Sequence, residues 1–153
     1  MQGKKIIVAA DHAGCGLKKQ LKEYLTELGC IIQDYGTDDD SVSVDYPEKA
    51  YLLAKGIYTG EADVGILVCG SGIGMSIAVN RYDFIRGALV CSPEMAVLAR
   101  KHNNANVLIL GGRLTDSETA KLCVNAFLTT PFEGGRHENR VAELERMSHD
   151  FEQ

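Results

Sequence analysis

Residues 64–80 read VGILVCGSGIGMSIAVN. Val64 to Val68 form a short apolar run of the kind that fills a strand buried on both faces. Cys69-Gly-Ser-Gly-Ile-Gly74 follows, with three glycines at alternate positions, and a small-residue helix carries the chain on to Asn80. Strand, glycine loop and helix together are half of a βαβ unit. The loop is not a dinucleotide fingerprint, because GxGxxG requires glycine where Met75 stands and normally follows the first strand. Nor is it a phosphate-binding P-loop, since no Gly-Lys-Ser/Thr follows.

The same alternation continues on both sides. Towards the N-terminus, Lys5–Ala10 reads as a buried strand, and Asp11–Gly16 as a turn. Leu17, Leu21, Tyr24, Leu25 and Leu28 then recur at helical spacing up to a stop at Gly29. Cys30–Tyr35 is a second strand, Gly36–Asp45 a polar loop, and Pro47 opens a helix with Ala50, Leu53, Ala54 and Ile57 inward, closing near Gly60. Beyond Asn80 come a strand at Arg86–Val90, a helix from Pro93 to about Lys101 and a strand at Ala105–Leu110. A helix from Asp116 to about Phe127, a Gly134-Gly135 turn and a charged helix over about 136–151 complete the chain. No linker or internal repeat divides residues 1–153, so the expectation is one α/β domain: an α/β/α sandwich on a central parallel sheet of about five strands. The last helix is polar around most of its circumference, which points to contact with a partner subunit.

The composition excludes several classes. Of 153 residues 45% are hydrophobic and 24% charged, as in an ordinary globular domain. The formal net charge of −5 argues against a nucleic-acid or anionic-membrane partner, whose sites need dominant positive charge. A small anionic ligand stays compatible, since a few arginines suffice for one pocket. No apolar run reaches the roughly 20 residues that span a bilayer, and the N-terminal run is too short for a signal peptide, so a cytoplasmic protein is expected. Cys15, Cys30, Cys69, Cys91 and Cys123 are odd in number and widely spread, neither a disulfide framework nor a zinc pattern. Most should be small buried hydrophobes.

In an open parallel sheet, ligands bind beyond the carboxyl ends of the strands. Asp11-His12 follows the first strand, Cys69 to Gly74 the third, Cys91-Ser92 the fourth and Gly111-Gly112-Arg113 the fifth. The amides of the glycine loop, backed by a helix N-terminus, suit an anion, and the same terminus would favour the Cys69 thiolate as base or nucleophile. A buried structural thiol is the plain reading of Cys69, and of Cys91. Asp11 either caps the next helix or, with His12, reaches the ligand. His102 and Asn103, placed just after the fourth helix, leave two readings for the histidine, a C-terminal helix cap or a general acid/base. Arg113, Arg136 and Arg140 are either solvated charges or phosphate ligands; the last two are four apart and share a helix face. His137 and His149 read as surface residues.

Taken together, AADHAG at 9–14, DYP at 45–47, CGSGIGMSIAVN at 69–80, RKHNNANVL at 100–108, GGR at 111–113 and EGGRHENRV at 133–141 resemble the ribose-5-phosphate isomerase B family and the related galactose-6-phosphate isomerase subunits. The resemblance spans nearly the whole chain. It implies a metal-independent, cofactor-free aldose–ketose isomerase on a Rossmann-like fold, a homodimer or dimer of dimers with its active site at the subunit boundary. By motif, Cys69 matches the base that moves a proton between carbon-1 and carbon-2, and Ser71 the hydroxyl that handles the oxygen protons. His102, with Asp11 nearby, resembles the group that opens the furanose ring. Gly70, Ser71, Gly72, Ile73 and Gly74 would hold the enediolate, Asn103 the sugar hydroxyls, and His12, Arg113, Arg136 and Arg140 the phosphate. Two positions depart from the pattern or mark its branch: Asn104 stands where aspartate is common, and Met75 with Cys69 present marks the cysteine branch rather than the glutamate one. Ribose 5-phosphate is the expected substrate. A hexose 6-phosphate, or binding of a sugar phosphate without catalysis, are the alternatives.

Overall fold

The computed structural model describes residues 1–147 and 149–152. Five parallel strands, β1 (Lys5–Ala10), β2 (Ile31–Asp34), β3 (Val64–Cys69), β4 (Gly87–Leu89) and β5 (Val107–Gly111), form one sheet in the order β2-β1-β3-β5-β4. Six helices flank it: α1 (Cys15–Glu27), α2 (Tyr46–Tyr58), α3 (Ile73–Val79), α4 (Pro93–Asn103), α5 (Ser117–Thr129) and α6 (Arg136–Met147). The α/β/α sandwich expected from the sequence is present. None of these helices is long and apolar enough to cross a membrane.

Alternation along the strands builds two cores. Ile6, Val8, Ala10, Ile66, Val68, Leu108 and Leu110 point to one face, packed by Leu17, Leu21 and Leu25 of α1, Ala96 and Ala99 of α4, and Ala120, Val124 and Phe127 of α5. Ile7, Ala9, Leu67, Cys69, Val107 and Ile109 point to the other, packed by Ala50, Leu53 and Ala54 of α2 and Met75 and Val79 of α3. Burial on both faces is why these strands read as unbroken apolar runs. Cys15, Cys30 and Cys123 are buried as expected, and burial pushes the Cys123 thiol up to about 11. Cys91, by contrast, is exposed just past the end of the short edge strand β4.

From β1 the chain crosses to β2 on one side, whereas from β3 it proceeds to β4 and β5 on the other. The carboxyl ends of β1 and β3 therefore flank the topological switch point, where a crevice opens.

The ends of α4 and α6 differ from the sequence reading. The fourth helix runs to Asn103, so His102 and Asn103 form its last turn, and Asn104 ends it in the left-handed region at φ 46°. The last helix ends at Met147 and residues 149–151 form a turn; Ser148, inside the expected span, lies outside the described residues. That helix buries only His137 and Val141 and packs on α4, which leaves most of its polar surface open.

Candidate active site

Three strand ends meet at the crevice by backbone-on-backbone packing, and this is what the glycines are for. A Cβ on Gly14 would lie 2.3 Å from the Val68 carbonyl oxygen, and one on Gly111 would lie 2.7 Å from that of Ser71. The Gly112 amide donates to the Cys69 carbonyl at 2.7 Å and that of Arg113 to the Gly70 carbonyl at 3.0 Å. Neighbouring loops after β1, β3 and β5 are thus locked together around a cleft of about 420 Å³. It is lined by Asp11, His12, Ala13, Tyr46, Cys69, Gly70, Ser71, Gly74, Arg113 and Leu114.

Within it, Asp11 is 7% exposed, and its Oδ1 accepts the Gly14 amide at 3.0 Å, so the carboxylate both shapes the turn and borders the cleft. The His12 Nδ1 accepts the Val44 N–H at 3.3 Å, which places the proton of the neutral ring on Nε2. Cys69, the last residue of β3, is 4% exposed at the cleft floor. The Ser71 Oγ accepts the Ile73 amide at 3.2 Å. Among the described residues the amides of Gly70, Ser71 and Gly72 have no partner, so loop donors remain available to a ligand. Because α3 has only seven residues, its dipole adds little, and the donors are those of the loop itself.

Tyr46 and Leu114 also line the cleft, and sequence reasoning missed both. The Tyr46 ring lies so close to Gly74 that a Cβ there would come within 2.9 Å of its Cζ. Residues beyond the carboxyl end of a strand are candidates at β2 as much as at the other strands, and at the end of the long loop after β2 stands Tyr46.

The remaining candidates form a second constellation. The rings of His102 and His137 stack with centroids 4.5 Å apart and planes 18° apart. The His137 Nε2 lies 3.5 Å from Glu133 Oε2, and His137 is 5% exposed, a buried residue rather than the surface one expected. Successive positive φ angles at Gly134 (68°) and Gly135 (56°) turn the chain sharply enough to set this first turn of α6 on the end of α4. The ligand atoms of His102, Glu133 and His137 lie within 4.8 Å of one another. Yet the imidazole lone pairs lie in two nearly parallel planes and do not converge on a point, as coordination requires. Arg136 and Arg140 are exposed on one side of α6, and Asn103 borders a separate hollow with Arg81, Arg86 and Leu144.

One chain does not bring the two constellations together. Helix α4 leaves the carboxyl rim after β4 and returns to the amino rim before β5, a path of about 16 Å for eleven residues. His102 therefore sits at the opposite end of the sheet from Asp11 and Cys69, and Asn103, Arg136 and Arg140 lie with it.

A family model described as ribose/galactose isomerase matches residues 6–144. The chain belongs to the ribose/galactose isomerase family. Ribose-5-phosphate isomerase B of Escherichia coli is 44% identical over 90% of this chain and 92% of its own. A D-erythrulose-4-phosphate isomerase of Pectobacterium atrosepticum is 39% identical over 94% of this chain and 95% of its own. The crystal structure of a ribose 5-phosphate isomerase from Thermotoga maritima superposes with a TM-score of 0.91 at 51% identity, covering 94% of this chain and 98% of that one. A ribose-5-phosphate isomerase B from Mycoplasma genitalium with bound ribulose 5-phosphate superposes with a TM-score of 0.91 at 36% identity, covering 98% and 99%. The ribose/galactose isomerase match takes in both constellations, from Asp11 to Arg140.

Proposed function

We propose that the protein interconverts ribose 5-phosphate and ribulose 5-phosphate through an enediolate, at a site completed by a second copy of the chain. The observation that carries this reading is the shielded Cys69 sulfur on the floor of a cleft rimmed by unpartnered loop amides, with His12 and Arg113 beside it. An aldose–ketose shift needs a base at the carbon next to a carbonyl, donors for the negative oxygen that develops, and protection from water. The cleft supplies each.

The Cys69 thiolate takes the proton from carbon-2 of the open-chain aldose, and the electron pair moves through the new carbon–carbon double bond onto the carbonyl oxygen at carbon-1. The amides of Gly70, Ser71 and Gly72, with Ile73 and Gly74 closing the loop, hold the enediolate. Ser71 moves the proton between the two oxygens, and the Cys69 thiol returns its proton to carbon-1. Arg113 and the His12 Nε2–H bind the phosphate, which fixes the sugar so that the reacting carbons meet the sulfur. A second copy supplies His102 for opening the furanose ring against Asp11, Asn103 for the hydroxyls, and Arg136 and Arg140 for the phosphate. Since these four face away from their own cleft, a homodimer is the smallest assembly that unites the set.

A sugar of another length is the second reading, and the four-carbon substrate named for the Pectobacterium relative is the observation that favours it. The test is a coupled assay on ribose 5-phosphate, D-erythrulose 4-phosphate, allose 6-phosphate and galactose 6-phosphate. Ribose 5-phosphate is expected to have the highest kcat/KM. A higher value for any other sugar would transfer the assignment to it. Binding with no deuterium entering the sugar from solvent would mark a binding protein instead.

A further inference from the structure

The loop from Thr37 to Asp45 joins β2 to α2 and presents two groups to the cleft: the Val44 amide on His12 and, at the first residue of α2, the Tyr46 ring over Gly74. The loop is exposed along most of its length. The amide of Thr37 donates to the Ala10 carbonyl at 2.7 Å. Beyond that residue, two side-chain hydrogen bonds tie the loop to the body among the described residues. One is Lys18 Nζ to Asp38 Oδ1 at 2.8 Å; the other is the Val44 N–H to His12 Nδ1 at 3.3 Å.

Lys18 is 2% exposed, and its ammonium contacts both oxygens of Asp34 at 2.8 Å. Asp34, largely buried itself and shared with Lys22 at 3.1 Å, is the main counter-charge. The third contact, to an aspartate whose side chain is 87% exposed, adds little to stability as an ion pair. Its effect is to hold the loop down.

We propose that the Lys18–Asp38 contact is a latch that positions His12. With the loop seated, the Val44 N–H occupies Nδ1, and the neutral ring is kept as the tautomer that offers Nε2–H to the cleft. With the loop released, nothing occupies Nδ1 and the neutral imidazole samples both tautomers, so the donor is no longer held in place. Neither Lys18 nor Asp38 touches the sugar. Both are positioning residues, acting through His12, and the part of the proposal that concerns turnover rests on His12 binding the substrate phosphate.

The test uses the full-length protein labelled with nitrogen-15, with the His12 ring signals assigned by their loss in His12→Ala. In the wild type His12 is expected as a single Nε2–H tautomer; in Asp38→Ala, a surface change that spares the Lys18–Asp34 pair, it becomes a mixture. Val44 amide exchange quickens about three- to fivefold, and KM for ribose 5-phosphate rises by a similar factor with kcat unchanged. Asp38→Glu restores both in part, and Asp38→Ala adds nothing to KM in the His12→Ala background. An Asp38→Ala protein that keeps the wild-type His12 tautomer and Val44 exchange overturns the latch. If the wild type does not turn over ribose 5-phosphate, that counts against the substrate reading alone, because the ring signals and amide exchange decide the latch without substrate.

Discussion

Cys69 ends a strand whose side chains alternate between two cores, and the alternation places its sulfur on the α2/α3 side, under the glycine loop. Nearly full shielding and access to the cleft are both met because the strand stops there. Replacing Cys69 by alanine is expected to lower kcat by roughly 10²–10⁴-fold, the scale of a lost general base, while the affinity for a sugar phosphate measured by calorimetry stays within about threefold. Near-normal turnover would remove the sulfur from the chemistry. The position of Cys69 was legible because a strand end followed by glycines is a local pattern. The burial of His137 was not: the residue stands among Arg136, Glu138 and Arg140, and it is stacked against His102, thirty-five positions away in the sequence. Tyr46 escaped notice because nine residues of polar loop separate it from Gly36.

At the scale of elements, the strand ends tolerate no side chain where backbones touch. Gly14→Ala drives a methyl into the Val68 carbonyl, and a loss of about 1–3 kcal/mol in urea unfolding is expected, with activity falling further because Asp11 and His12 sit on the same turn. Lys18 joins α1 to β2. Burial alone would raise the Asp34 carboxyl, but hydrogen bonds from Lys18, the Gly36 amide and Lys22 hold it below the usual carboxylate range. Burial alone would lower the Lys18 ammonium, but Asp34 and Asp38 hold it above its ordinary value. The stabilisation is therefore complete between the two unfolded-state values, about pH 4 and about pH 10.4. It fades as acid titrates Asp34 through its lowered value, and as base titrates Lys18 through its raised one. Lys18→Met should cost about 1–3 kcal/mol at pH 7, because Asp34 loses one charged partner but keeps Lys22 at 3.1 Å and the Gly36 amide at 2.7 Å. The gap to wild type should narrow as unfolding is repeated down to pH 2; a gap independent of pH would contradict the pairing. Helix boundaries set by Gly29 and Pro47 were readable because those residues act locally. The end of α4 was not, because Lys101, His102 and Asn103 all accept helical backbone, and the stop comes one residue later, at Asn104.

The whole molecule divides its candidate residues between the two rims of one sheet. Asp11, His12, Cys69, Ser71 and Arg113 gather at the carboxyl rim, whereas His102, Asn103, Arg136 and Arg140 lie towards the other. Sequence reading brought out every one of these residues but not this division, which depends on the direction in which α4 returns. The division makes the shared site testable by mixing two inactive proteins, Cys69→Ala and His102→Ala, after dissociation and reassociation. In a symmetric dimer whose sites each draw on both chains, a mixed pair carries one doubly damaged site and one intact site. Random reassociation is then expected to restore about a quarter of wild-type ribose 5-phosphate isomerisation. If each chain housed its own complete site, every site in the mixture would keep one lesion, and no recovery above the separate variants would contradict the account.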